Sequence, residues 1–484
     1  MGPVFLGAHV SSPSTAGLDR RILSLAVPAL GALVAEPLFV LIDSAMVGHL
    51  GATSLAGLSL ASSVLTTVVG LFVFLAYATT ATTARLFGAG DRRGGLRAGV
   101  DGAWLAGFLG LGAAVVLAAT APRVASAMGA EGDVARAATA YLQASAPGIP
   151  GMLVVYAATG TLRGLLDTRT PFVVATSGAV LNAGLNAVLL YGARMGVAGS
   201  GLGTAIAQSI MAATLMIPVI RAARVAEIGL LPRRRGLRTS LGAGTPLLVR
   251  TLSLRIAILA TVWAATALGD VSLAAHQVVN ALWTFAAFAL DALAVAAQAL
   301  IGTALGQAQR SDADSTTTST EVDTAADTDI DTDTQSASAT AGWSIDELLR
   351  RLLAWGAGTG VLIGVLMAAG AAWLPRAFTS DPGVIAAATP TLLVAASALP
   401  LAGVVYLLDG VLMGAGDGRY LAWAGLLTLV PYVPLALLIG GGALPGVVGT
   451  VSGLALLWIA FAWVFMAARG ATTYLRARGT AWRH

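Results

Sequence analysis

The sequence predicts an all-α polytopic membrane protein with twelve transmembrane helices in two parallel six-helix repeats, or lobes. Three observations lead there. The 484 residues are 57% hydrophobic and 11% charged, where an average soluble domain carries roughly 25% charge. With a mean hydropathy of +0.81, the chain cannot cover a folded surface with polar groups, which excludes a soluble enzyme, a disordered protein and a disulfide scaffold. The apolar residues run continuously instead of alternating over about 10 residues, which argues against a β-barrel. The two halves of the chain also match each other at fixed offsets.

A helix needs about 20 apolar residues to cross the hydrocarbon core. Apolar runs between charged or Pro/Gly-rich breaks fall near 22–46, 54–84, 98–120, 134–160, 171–193, 199–220, 240–268, 273–305, 347–374, 384–413, 419–440 and 446–468. The long second and eighth runs tilt or extend beyond the bilayer. Residues 1–18 show no basic segment ahead of an apolar core, so no cleaved signal peptide is expected. With no Cys, thiolate metal sites are excluded, and all 28 basic residues are Arg. Placing the amino terminus inside puts 22 Arg, Arg163 and Arg469 among them, on the cytoplasmic side and 4 outside, with Arg250 and Arg255 inside the seventh span. That bias predicts both termini in the cytoplasm and a multi-pass protein of the cell's inner, or cytoplasmic, membrane.

The repeat fixes the architecture. At an offset of 218, Pro28 meets Pro246, Leu50-Gly51 meets Leu268-Gly269, and Gly88 meets Gly306. At an offset of 250, Pro150 meets Pro400, Tyr156 meets Tyr406, Asp167 meets Asp417, and Gly196 and Gly199 meet Gly446 and Gly449. The change of 32 implies an insertion between Gly306 and Pro400. It is visible at 311–342, an Asp/Thr-rich stretch with eight acids and no Arg, expected to be a disordered cytoplasmic loop. Its Asp327 to Asp333 segment lacks the central Gly and terminal Glu of a calcium loop. Without the insertion the net charge rises from +4 to +12, the sign expected beside anionic lipid. Six helices per repeat is an even number, so both copies run in the same direction, as in alternating-access transporters with substrate between the lobes. The expected organisation is a cytoplasmic tail (1–20), an amino-terminal lobe (21–222), a cytoplasmic linker (223–239), a carboxy-terminal lobe (240–468) holding the insertion, and a cytoplasmic tail (469–484).

Carboxylates inside spans cost roughly 2.5–3.5 kcal/mol each at the bilayer centre, so those present should face a cavity or a partner. Glu36 and Asp43 stand on the first span, Asp291 on the eighth and Asp409 on the tenth, and none has an acidic repeat mate: Asp43 matches Thr261, Asp291 matches Val73 and Asp409 matches Thr159. Glu36 and Asp43 are seven residues apart, about 20° short of two turns, and so share a helix face. Pro37 between them removes a backbone donor and marks a hinge or loosened turn. Two acids on one face of such a helix suit a proton or a cation, sodium at Asp43 for example; otherwise they pair with Arg250 or Arg255, or cap a broken turn. Asn182 and Asn186 share a face of the fifth span, where amides orient a carboxylate, ligand a cation, or hydrogen-bond helices together. Asp291 and Gln298 repeat the seven-residue spacing. Asp409 is a candidate for the site or for a local hydrogen bond, Arg250 and Arg255 for counter-charges, and the boundary residues His49 and His276 for solvated side chains or proton carriers. No catalytic triad, nucleotide loop or zinc signature is present, and Gly199–Gly203 does not follow a strand, so neither an enzyme nor a nucleic-acid partner is expected.

The stretch Leu41-Ile42-Asp43-Ser44-Ala45-Met46-Val47-Gly48-His49-Leu50-Gly51 closely resembles the first-helix motif of multidrug and toxic compound extrusion (MATE) transporters, and most closely that of the DinF-type branch. Supporting blocks are Arg163-Gly164 with Asp167-Thr168-Arg169-Thr170-Pro171, the Asn182/Asn186 pair, Asp291 with Ala296-Ala297-Gln298-Ala299-Leu300-Ile301-Gly302, and Asp409-Gly410 with Gly414-Ala415-Gly416-Asp417. The resemblance covers about residues 20–470 except the insertion. It implies two lobes around a central cleft. It also implies export of small organic, often cationic compounds in exchange for protons or sodium, by a monomer needing no cofactor. In this family the first-helix acid, here Asp43, works with polar residues of the fifth and sixth helices, which carries over to Asn182, Asn186 and Thr204. In some relatives the position of Asn186 is acidic; here it is an amide, and Glu36 is the carboxylate available to compensate. The rivals are a lipid-linked oligosaccharide flippase, for which a more cationic cavity is expected, and a major-facilitator transporter, echoed only in Gly88-Ala89-Gly90-Asp91-Arg92-Arg93-Gly94. A membrane-embedded enzyme or a receptor is disfavoured by the missing catalytic clusters and by the repeat.

Overall fold

The computed structural model describes residues 15–318, 343–443 and 452–483. Most of the expected amino-terminal tail, the bulk of the insertion (319–342) and the repeat glycines Gly446 and Gly449 lie outside the described residues. Twelve helical spans follow one another: α1 Thr15–Gly48, α2 Ala52–Gly88, α3 Arg92–Ala127, α4 (132–164), α5 Arg169–Gly192, α6 Val197–Val225, α7 Arg234–Ala267, α8 Asp270–Thr318, α9 Ile345–Ala369, α10 Pro382–Gly414, α11 Gly418–Gly440 and α12 Gly453–Arg478. Among the described residues, eleven are long and apolar enough to cross a bilayer as single helices. The twelfth, α4, is broken by the 3₁₀ turn Ala146–Gly148 into Gly132–Ser145 and Ile149–Gly164.

Local chemistry explains many of the ends. Asp91 caps α3 through Gly94 N at 2.7 Å, Asp381 caps α10 through Gly383 N at 2.7 Å, and Ser344 with Glu347 forms a capping box on α9. The matched Gly51 and Gly269 turn the chain between α1 and α2 and between α7 and α8 at φ of 115° and 101°, a region a side chain disfavours.

The boundaries differ from the sequence reading at two places, in the middle of the carboxy-terminal lobe and at its carboxy-terminal end. α8 continues to Thr318, into the acidic segment. The carboxy-terminal stretch is helical to Arg478 and packs on the lobe: Arg469, Thr473 and Trp482 are buried, and Arg476 bonds Asp417 at 2.6 Å. Arg163 and Arg469, assigned to the cytoplasmic surface, are both buried in the helical interior, at 8% and 7% exposure; each sits near a span end, where apolar runs mark the boundary poorly. The bias then stands at 20 Arg against 4. Asp101 in α3 is a further buried carboxylate, held by Arg97 at 2.9 Å and by the backbone N of Arg233 at 3.2 Å, which pins the linker to α3.

The lobes meet at the face where α1 begins. One apolar cluster joins the amino-terminal lobe to the ends of α8, α9 and α10 nearest that face, through Leu300, Leu305, Leu348, Leu352 and Leu412. The far half of the carboxy-terminal lobe forms a separate cluster around Trp283, Tyr432 and Trp458. Gly88 lies against the Thr303 carbonyl and its repeat mate Gly306 against the Arg85 carbonyl. Any side chain at either position would drive α2 and α8 apart. Arg85 also reaches Gln309 at 3.2 Å and the Ala415 carbonyl at 3.3 Å, while Asp19 of α1 accepts from Arg351 and from Trp355 Nε1 of α9, the latter at 2.7 Å. These contacts close the cleft at this face.

Candidate functional site

A cavity of about 230 Å³ lies in the cleft, walled mainly by α1, α2, α4, α5 and α6, with α8 and Met413 of α10 completing it. Its lining is largely apolar, with Leu65, Met152 and Met211 among the residues, and carries four charged side chains: Glu36, Asp43, Asp291 and Arg163.

Asp43 is 3% exposed and is held by neutral donors from three other spans. Asn186 Nδ2 of α5 donates to Oδ1 at 2.8 Å, the Ser200 hydroxyl of α6 donates to the same oxygen, and the Tyr141 hydroxyl of α4 donates to Oδ2 at 3.3 Å. Asn186 Nδ2 also bonds Asn182 Oδ1 at 3.3 Å, and Asn182 Nδ2 reaches Thr204 Oγ1 at 3.4 Å. The structure therefore brings together Asp43, Asn182, Asn186 and Thr204. Tyr141 and Ser200 belong to the cluster too, and the sequence reading misses both. Ser200 stands one turn before Thr204 on α6, a spacing that offers the only sequence signal for it. Gly203 lets α6 approach the Asn186 amide, because a Cβ there would strike Asn186 Oδ1. That oxygen is buried and has no hydrogen-bond partner among the described residues. Directly after Asn186, α5 widens into a π-helical segment, Ala187–Gly192, a distortion common at functional sites.

Among the described residues no cationic side chain reaches Asp43, so its charge is met there by dipoles alone. The cluster has only oxygen acceptors to offer: the carboxylate, the Asn186 carbonyl oxygen and hydroxyls. Such a set suits a proton or a hard cation. Among the described residues, no group of three or more His, Cys, Asp or Glu has metal-binding geometry.

The other expected residues fall elsewhere. Glu36 shares the α1 face with Asp43 and opens into the cavity, with Arg255 of α7 its leading electrostatic neighbour. α1 stays helical through Pro37, which leaves the Leu33 carbonyl without its helical donor. Gln298 lines the cavity and ties α8 to α2 by donating to the Tyr77 carbonyl at 2.7 Å. Asp291 lines the cavity from α8, with no hydrogen bond or ion pair among the described residues. Asp409 stands apart from it. It is 4% exposed and lies between Arg250 of α7, at 2.7 Å, and Arg469 of α12. Arg469 also lies over the rings of Tyr406 and Phe465, at 5.6 and 5.7 Å. His49 bonds the Ala45 carbonyl at 2.7 Å, and His276 is buried beside Trp458 at 5.7 Å in the aromatic cluster. Neither histidine is among the residues lining the cavity.

The MatE family model matches residues 28–188, 246–321 and 343–438, most of the chain. The chain belongs to the MatE family. Protein DETOXIFICATION 44, chloroplastic, of Arabidopsis thaliana is 26% identical over 481 residues, covering 94% of this chain and 84% of that protein. DNA damage-inducible protein F of Escherichia coli (strain K12) is 29% identical over 299 residues, 60% of this chain and 64% of that protein. The fold is that of solved MATE transporters: Vibrio cholerae VcmN in its bent form superposes with a TM-score of 0.79 at 20% identity, over 96% of this chain and 99% of that one. The MatE segments begin at Pro28 and so include the Asp43 motif. The family read from residues 41–51 is the family found.

Proposed function

We propose that this protein is a secondary active exporter that moves small organic compounds, cationic ones among them, out of the cell in exchange for protons or sodium. One observation carries the reading: Asp43 is buried in the wall of the cavity with neutral donors only. A carboxylate at membrane depth without a counter-charge is costly, and a proton or a cation bound at Asp43 relieves that cost. Ion and substrate then favour different arrangements of the lobes, which is what coupling requires. Pro37, between Glu36 and Asp43, removes one helical hydrogen bond from α1 and so eases a bend there when the ion binds.

Three carboxylates against one guanidinium in the cavity favour organic cations over the pyrophosphate-linked lipids of a flippase. The Arg excess at the closed face supports a cytoplasmic location for both termini and a multi-pass place in the cell membrane. The protein works as a monomer, each chain having its own cleft. The test is transport of a dye panel by the purified protein in proteoliposomes, under an imposed pH or sodium gradient. One of the gradients is expected to drive export. If neither drives export of any dye, the reading fails.

A further inference from the structure

The base of the cavity holds a charge that the ion-coupling role of Asp43 does not use. Arg163 is in the last turn of the Ile149–Gly164 segment of α4, 8% exposed, and lines the cavity. A helix carboxyl end favours a cation, which explains why a guanidinium tolerates the place. It does not give the guanidinium a partner: Arg163 makes no hydrogen bond or ion pair among the described residues, and Nε is buried without an acceptor. Its leading electrostatic neighbours are Tyr77 and Asp291. Asp291, on α8 of the other lobe, is equally without a hydrogen bond or ion pair. Two opposite charges thus line one cavity from the two lobes without touching.

We propose that Arg163 forms an anion subsite, which takes the carboxylate or sulfonate of an amphoteric substrate while the cationic end of the same molecule lies toward Asp291. This deepens the export reading and rests on it. A guanidinium offers a planar fork that matches a carboxylate in a way a point charge does not. A substrate held at both ends bridges the two lobes that move against each other.

Two rhodamines test the subsite: rhodamine 110, which carries a free carboxyl group, and rhodamine 123, its methyl ester. Binding to the purified full-length protein is read by fluorescence anisotropy. Arg163→Gln should weaken binding of the acid by about tenfold or more and leave the ester within about twofold. Arg163→Lys, which keeps the charge and loses the fork, should fall between for the acid and carries the test if Arg163→Gln does not fold. An equal loss for both dyes, or no loss for the acid, overturns the subsite. Wild-type protein that binds the ester but not the acid overturns the subsite and leaves export standing. Wild-type protein that binds neither dye overturns the subsite, whereas the export reading falls only if no dye of the panel is exported under either gradient.

Discussion

The two lobes share a scaffold and differ at the same positions within it. By the repeat, Asp43 of α1 corresponds to Thr261 of α7, and Asn182 of α5 to Tyr432 of α11. In the amino-terminal lobe these positions build a carboxylate–amide cluster on the cavity. In the carboxy-terminal lobe Thr261 and Tyr432 hydrogen-bond each other, and Tyr432 packs against Phe461 and Phe465 at 6.0 and 5.2 Å. That lobe has a buried carboxylate of its own, Asp409, but two arginines fix it in place. The charge of Asp409 is answered by two guanidinium groups, while that of Asp43 is met by neutral donors alone among the described residues. On the proposed reading, the same fold carries one structural acid and one acid that exchanges its counter-ion.

Four changes break or sharpen this comparison. Asp409→Asn strands the buried guanidinium of Arg469 and the partly buried one of Arg250 and should cost about 3–5 kcal/mol, read as a lower unfolding temperature in detergent; a loss no larger than that of Asp43→Asn would erase the distinction between the acids. Ser200→Ala removes one donor to a charged group, an interaction of about 1.5–3 kcal/mol, and should slow coupled export about tenfold with the fold intact. Tyr432→Phe, at the matching place in the other lobe, should cost only about 0.5–1.5 kcal/mol of stability and leave export unchanged, as transport assays beside thermal melts would show. Removing 319–342 should alter export by less than about twofold, as expected of a low-complexity polar stretch that carries no Arg; a larger loss would give that segment a regulatory role.

Much of this was legible in the sequence. Twelve spans followed from apolar runs because lipid demands long uninterrupted helices, and α4 was found even though a 3₁₀ turn divides it. Asp43, Asn182 and Asn186 stood out because charge is rare in such runs and four-residue spacing shares a face. Tyr141 and Ser200 did not, because hydroxyls are common in helices and these two reach Asp43 from 98 and 157 residues away. Arg163 and Arg469 were hidden by their places near span ends, where a cation normally reaches water. Their burial depends on how α4 and α12 pack, and no local pattern records that.

The central claim is that Asp43 couples ion entry to export, and Asp43→Asn in proteoliposomes tests it most directly. The substitution keeps the size of the side chain and strands no counter-charge, so the variant should fold and bind dye. Under the gradient that drives the wild type, its export should fall to the level of empty vesicles. Full gradient-driven export by Asp43→Asn would contradict the account.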